Sequence, residues 1–280
     1  MISASNTASG CLSWWQIIRL GLIQTSLGGI VVLTTSTLNR IMVVELTLAA
    51  TIPGFLVTIH HIVQLARPRI GYSSDVGGRR TSWIIGGMFI LGLGGVLAAL
   101  GTTLLLSQYW LGLSVSALGF FAIGVGTGAT GTSLLALLAK HVAPERKPAA
   151  AALVWFMMII GFAVTAGVAG YFLDPYSPER LLTVTGTVSV LGIIVTLMVI
   201  KGIEPDGQLA STSDTPPPEK GAFSSALAEA WQDRQARVFT IFVFVSMLAY
   251  SAQDLILEPF AGLVFGRTPG ESTQLAGIQH

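Results

Sequence analysis

Charge is what this sequence lacks most. Only 10% of its 280 residues are Asp, Glu, Lys or Arg, against about a quarter in soluble domains. Hydrophobic residues make up 52%, and the mean hydropathy is +0.71. A water-soluble fold is excluded, and lipid is the solvent for most of the chain. The net charge of +1 offers neither the basic field that nucleic acid requires nor an acidic tail for basic partners. The single cysteine, Cys11, has no partner for an intrachain disulfide and no Cys or His at metal-ligand spacing, which removes disulfide scaffolds and zinc sites. Catalytic signatures are missing as well. There is no Gly-x-Ser-x-Gly elbow, no phosphate-cradling glycine loop with Lys and no His-rich metal helix, so the sequence reads as that of a non-enzyme. The polar N-terminus has no Lys or Arg before Arg19 and no small-residue cleavage site after a short apolar core, so the first apolar run is expected to be retained.

Long apolar runs are what the sequence does have. A spanning helix needs about 20 mostly apolar residues, because backbone groups in hydrocarbon must be satisfied within the segment. Seven stretches meet this, near residues 16–38, 44–66, 83–106, 110–139, 149–173, 181–200 and 237–257. An eighth begins at Leu275 and meets the C-terminus at His280, so the chain reads as truncated. The expected fold is an all-α polytopic membrane helix bundle: a six-helix unit over residues 1–200, a linker over 201–236, and the start of a second bundle over 237–280. Twelve Lys and Arg residues fall on one side of these spans and three (Arg40, Arg180 and Arg267) on the other, which puts the N-terminus in the cytoplasm. The linker, with Pro216, Pro217 and Pro218 beside Ser and Thr, then joins the two groups from the cytoplasmic side. Within it, Ser224 or Ser225 could cap an amphipathic helix running through Trp231 on the membrane surface, or the segment is a disordered tether.

The second group of helices echoes the first. Asn39-Arg40 with Glu45 is matched by Gln253-Asp254 with Glu258, and Leu56-Val57-Thr58-Ile59-His60-His61 by Leu275-Ala276-Gly277-Ile278-Gln279-His280. Duplicated halves of this kind are common in membrane transporters.

Between the second and third spans runs Arg69-Ile70-Gly71-Tyr72-Ser73-Ser74-Asp75-Val76-Gly77-Gly78-Arg79-Arg80. A tight cytoplasmic loop needs glycine where the backbone turns sharply. Asp75 is placed to accept hydrogen bonds or pair with an Arg, while Arg79 and Arg80 stay at the headgroups. The spacing of Gly71, Asp75, Gly78, Arg79 and Arg80 resembles the loop signature of the major facilitator superfamily. Two departures stand out. Proton-coupled members carry an Arg in the fourth helix where this sequence has Phe120, and the fifth lacks the proline of the antiporter signature. Glycines crowd the third and fourth spans, where close helix packing is the expected role.

Intramembrane polar residues are costly and therefore functional candidates. Gln24, Thr25, Ser26 and Gln64 are thin material for a midplane site, and no carboxylate is expected mid-membrane. Asn39, Arg40, Glu45, Asp254 and Glu258 are expected as a polar cluster at the non-cytoplasmic helix ends, acting as a gate or as a static ion pair. His60 and His61 differ by about 100° around a helix, so at most one faces the bundle squarely. Each is a candidate to ligate the magnesium of a chlorin, or to hydrogen-bond a neighbouring helix.

Three stretches go further: residues 33–46, residues 67–80 and residues 253–260, the last reading Gln253-Asp254-Leu255-Ile256-Leu257-Glu258-Pro259-Phe260. They closely resemble the PucC family, light-harvesting complex assembly and bacteriochlorophyll-delivery proteins of the major facilitator superfamily. The resemblance implies twelve helices in an intact protein and an inner or intracytoplasmic membrane location. It implies bacteriochlorophyll as cargo, with antenna polypeptides and bacteriochlorophyll-synthesis enzymes as partners. The competing expectation is a secondary transporter moving a small solute by alternating access.

Overall fold

The computed structural model describes residues 11–76, 80–203 and 222–279, and every regular element among them is helical. The chain runs through α1 (Trp14–Glu45), α2 (Thr51–Gln64), α3 (Arg67–Val76), α4 (Arg80–Leu104), α5 (Tyr109–His141), α6 (Lys147–Leu173), α7 (Pro178–Val199), α8 (Ala222–Gln232), α9 (Arg234–Phe265) and α10 (Pro269–Gln279). Among the described residues α1, α4, α5, α6 and α7 are long and apolar enough to cross a membrane. Trp15, Leu93, Phe121, Val164 and Tyr171 are exposed, as are many other large apolar side chains. Water tolerates such residues singly but not over a whole surface, whereas lipid accommodates them. The protein is an all-α polytopic membrane helix bundle. Two-thirds (67%) of the apolar window of α1 is buried against 17% of that ending α6, so α1 is central.

Several expected boundaries move, for physical reasons. The first span was expected to stop at the polar residues near 39, but α1 continues to Glu45. Thr34 and Thr35 donate to the carbonyls of Ile30 and Val31 (3.1 and 2.9 Å), so their hydroxyls are satisfied inside the helix and do not end it. The helix is π-wound at Leu33–Thr37 and again at Ile41–Glu45. The expected second span, 44–66, is divided: Val44 and Glu45 close α1, a short break follows, and α2 has only 14 residues. At 1.5 Å per residue it reaches roughly 21 Å, short of a hydrocarbon core of about 30 Å. The expected seventh span lies within the longer α9, and the eighth helix starts at Pro269 rather than Leu275. Of the two alternatives for the linker, the helix forms as α8, with Trp231 exposed; it starts at or before Ala222, so Ser224 and Ser225 lie inside it rather than capping it. The proline-rich part of the linker lies outside the described residues.

A helix–break–helix layout occurs twice. Both α1 and α9 have 32 residues. Each is followed by a break holding one left-handed residue, Thr47 (φ 50°) and Gly266 (φ 61°). Positions 47 and 266 are 219 apart, as are Leu56 and Leu275. The structural register is therefore that of the pair 56–61 and 275–280, whereas Asn39 and Gln253 are 214 apart and do not correspond. Glycine adopts this conformation freely, while a β-branched residue is strained there by roughly 1–2 kcal/mol. Thr47→Gly should stabilise the protein by about 1 kcal/mol, seen as a higher thermal unfolding midpoint. An unchanged or lower midpoint would show that the break holds Thr47 without strain.

The tightest packing joins α4 to α5. Gly87, Gly94 and Gly101 on one helix, and Gly112, Gly119 and Gly126 on the other, recur every seven residues and meet in antiparallel order. A Cβ on Gly94 would stand 2.7 Å from the amide nitrogen of Ile123 and 2.9 Å from the carbonyl of Gly119. Backbone lies against backbone, and the seven-residue period keeps one stripe facing the neighbour along the whole pair.

Candidate functional site

The two ends of the bundle differ in chemistry. Where α1 begins, Arg19 donates to the carbonyl of Lys201 and the Leu12 amide donates to His141 O at 2.7 Å. The ends of α4, α5 and α6 bring Arg80, Lys140, Arg146 and Lys147 to the same side.

At the distal end α1 meets α9 and α10. Its π-wound stretch turns successive side chains toward them, a use to which irregular helical windings are often put. Ser36 Oγ donates to Glu258 Oε1 at 2.7 Å, and the hydroxyls of Thr37 and Thr273 lie 3.1 Å apart. Arg40 Nη1 donates to Glu45 Oε1 at 2.7 Å, and Nη2 donates to the carbonyl of Arg267. Arg40 is only 1% exposed, and Asn39 and Glu258 are also buried. The expected positions need correcting. Asn39 and Arg40 lie within α1 rather than at its end, Glu45 closes α1 instead of opening the second helix, and Glu258 lies inside α9. The carboxylate expected at an interface is thus enclosed in a packed seam. Asp254 is on α9, with its side chain outside the described residues.

Asp174, after α6, completes the distal seam. Its carboxylate accepts from Thr268 Oγ1 (2.7 Å) and from the Gly270 amide (3.1 Å), at the start of α10, where the helix dipole favours a negative charge. Gly170 and Gly270 allow this approach, since a Cβ on Gly170 would stand 2.6 Å from the Gly270 carbonyl. A cavity of about 690 Å³ opens here, lined in part by Arg40, Glu45, Asp174, Tyr176, Arg267 and Glu271. Burial pushes the Tyr176 phenol above its ordinary range, and the carboxylates of Glu45 and Glu179 push it the same way. Ser36, Thr37, Asp174, Thr268 and Thr273 were not among the expected site residues. Two signals point to them: a run of hydroxyls inside an apolar helix, and Thr268 three residues before Glu271. The latter forms a capping box, with reciprocal bonds of 3.2 Å.

The loop motif is also revised. Residues 67–76 are helical as α3 rather than a turn, and a Cβ on Gly71 would stand 3.1 Å from Thr132 Cγ2. Gly71 is therefore small for contact with α5, not for a sharp bend. Arg80 opens α4 and is buried, not at the headgroups. Gly78 and Arg79 lie outside the described residues, as does the side chain of Asp75.

The two histidines differ in exposure. His60 is 2% exposed, its backbone packs against Gly124 of α5, and its Nε2 lies 2.6 Å from Gln64 Nε2. His61 is exposed on the outer face of α2, its ring edge-on to that of His60 at 4.9 Å. The mid-helix polar groups of α1 serve packing: Gln24 Nε2 reaches Met158 Sδ (3.2 Å), Thr25 donates to Met157 O (2.8 Å) and Ser26 to Leu22 O (3.0 Å).

Lipid-facing helices around a polar distal seam define a multi-pass integral membrane protein. The chain belongs to the PucC family: the family model described as "PUCC protein" matches residues 37–280. It is 51% identical over 269 residues to the bacteriochlorophyll synthase 44.5 kDa chain of Rhodobacter capsulatus, covering 96% of this chain and 62% of the relative. It is 29% identical over 283 residues to protein PucC of Cereibacter sphaeroides, covering 97% of this chain and 61% of that protein. The chain thus spans about three-fifths of the length of these relatives.

Proposed function

We propose that this protein is a non-enzymatic membrane assembly factor of photosynthetic bacteria. It takes bacteriochlorophyll as cargo and delivers or inserts it into the antenna polypeptides of light-harvesting complexes. Family membership and the name of the 51% identical relative support the pigment. The observation that carries the reading is His61, an exposed imidazole beside the exposed apolar side chains Phe55 and Ile62 of α2 and Leu65 just after it. A neutral imidazole is a good magnesium ligand, and a wide apolar ring needs an open lipid-facing surface rather than a packed interior. His60 is enclosed and engaged with Gln64, so it supports α2 rather than meeting a ring. The name "synthase" for the relative is then read as membership of a synthetic system, with bacteriochlorophyll-synthesis enzymes as partners.

In the cell the chain sits in the inner or intracytoplasmic membrane with the cationic end of the bundle, and hence the N-terminus, in the cytoplasm. Residues 1–200 form a first six-helix unit of major facilitator type, 201–236 the cytoplasmic linker and 237–280 the start of the second unit. The test is the absorption spectrum of the full-length protein purified from a pigment-synthesising membrane. Bacteriochlorophyll should co-purify, be lost in His61→Phe, and be kept in His60→Phe. Pigment retained by both variants, or absent from the wild type, would reject the assignment. A second reading, alternating-access transport of a small solute, is favoured by the charged distal cavity. It predicts a colourless protein that takes up labelled solute in vesicles.

A further inference from the structure

Neither reading uses Glu258. It lies in α9 where that helix crosses the π-wound part of α1, 1% exposed, with Oε1 bound by Ser36 and Oε2 without a partner. The hydroxyls of Thr37 and Thr273 are paired beside it, and none of Ser36, Thr37 and Thr273 is more than 7% exposed. One carboxylate and three hydroxyls, drawn from α1, α9 and α10, therefore share a dry seam. An enclosed carboxylate with one oxygen left unpartnered is costly unless a proton or a cation completes it. Arg40 shares the seam one turn away, with a Cβ on Gly262 standing 3.3 Å from its Nη2. Its two terminal nitrogens are already committed to Glu45 and the Arg267 carbonyl. Carboxylate and hydroxyl oxygens suit hard cations. Among the described residues no three His, Cys, Asp or Glu side chains group together, so a divalent ion would be short of anionic ligands.

We propose that Glu258, with Ser36, Thr37 and Thr273, forms a buried site for one small monovalent cation, a proton or Na⁺, whose occupancy fastens α9 and α10 to α1. Among the described residues, the charged and titratable groups lining the neighbouring distal cavity are Arg40 and Glu45 of α1, Asp174 and Tyr176 from the α6–α7 connection, and Arg267 and Glu271 at the start of α10. This assignment is independent of any pigment.

Infrared difference spectroscopy on the intact protein in lipid nanodiscs tests it, with pH stepped between about 5 and 9 at fixed NaCl, then Na⁺ exchanged for N-methylglucamine at fixed pH. With a proton as occupant, a protonated carboxyl band should appear and vanish with pH, be lost in Glu258→Gln and shift in Ser36→Ala, where the donor is gone. With Na⁺ as occupant, the carboxylate band should follow Na⁺ at constant pH and again be absent from Glu258→Gln. Ser36→Ala leaves the carboxylate in place, so its spectrum decides the matter even if Glu258→Gln does not fold. Bands that ignore both pH and Na⁺ in wild type and Ser36→Ala would overturn the proposal and leave Glu258 as a fixed counter-ion of Arg40.

Discussion

Gly119→Leu is expected to abolish accumulation of the folded protein in the membrane. A Cβ at this position would already stand 2.7 Å from the Cα and 2.9 Å from the Cβ of Ala98 on α4, and Leu adds three more carbons. The obstacle is main chain, which cannot change rotamer, so α4 and α5 must separate along the stripe that holds them. Overpacking a core against movable side chains costs about 1–3 kcal/mol; against backbone the cost should lie above that range. Gly86→Leu is the control, because a Cβ there meets nothing within 4 Å. It should remain within about 0.5 kcal/mol of wild type. Detergent-resistant yield and thermal unfolding of both variants decide the matter, and equal yields would contradict the backbone-to-backbone packing of α4 on α5.

Arg40→Ala should destabilise the protein by about 3–5 kcal/mol, the usual cost of removing one partner from a buried ion pair. The guanidinium bridges Glu45 and the Arg267 carbonyl, so its loss strands an acceptor at the α9–α10 break as well as a carboxylate. The Glu45 side chain is 28% exposed and recovers some hydration, which places the expected value toward the lower end. Arg40→Lys keeps the charge but not the fork, and a single ammonium does not replace two directed donors; an intermediate loss is expected. In a double-mutant cycle with Glu45→Ala the coupling should exceed 1 kcal/mol. A coupling near zero, with Arg40→Ala as stable as wild type, would mean that the distal seam is held by Ser36, Thr37 and Asp174 without the arginine.

The helical class and most spans were legible because apolar runs of 20 or more residues have few alternatives in lipid. The crowding of glycines in the third and fourth spans was legible as close packing, but the seven-residue stripe of Gly87, Gly94 and Gly101 against Gly112, Gly119 and Gly126 stands out only once α4 is laid against α5. Boundaries near polar residues were less so. Asn39 and Arg40 look like a helix end in one dimension, and only the bonds of Thr34, Thr35 and Arg40 explain why α1 continues past them. The motif glycine Gly71 was recognisable by spacing, but spacing alone does not distinguish a turn from a close helix contact. At the candidate site Arg40, Glu45 and Glu258 were readable as costly charges in an apolar chain. Their grouping was only half readable, because Ser36, Thr37 and Thr273 are ordinary residues until a neighbouring helix is placed against them. Asp174 at the start of α10 belongs to the same class, since the two are separated by nearly a hundred positions. The opposite exposure of His60 and His61 followed from the 100° step between them, but which one turned inward depended on the small surface offered by Gly124.

The glycine stripe has a mechanical consequence. Along the stripe the backbones of α4 and α5 touch directly, so a change of rotamers alone does not let one slide past the other, and the next matching alignment is a whole heptad away. They form a stiff spine. By contrast, α1 grips α9 and α10 through a few hydroxyls and one guanidinium, contacts that can be exchanged one by one for water. If the molecule flexes in the membrane, it does so at that joint, while the spine keeps its shape.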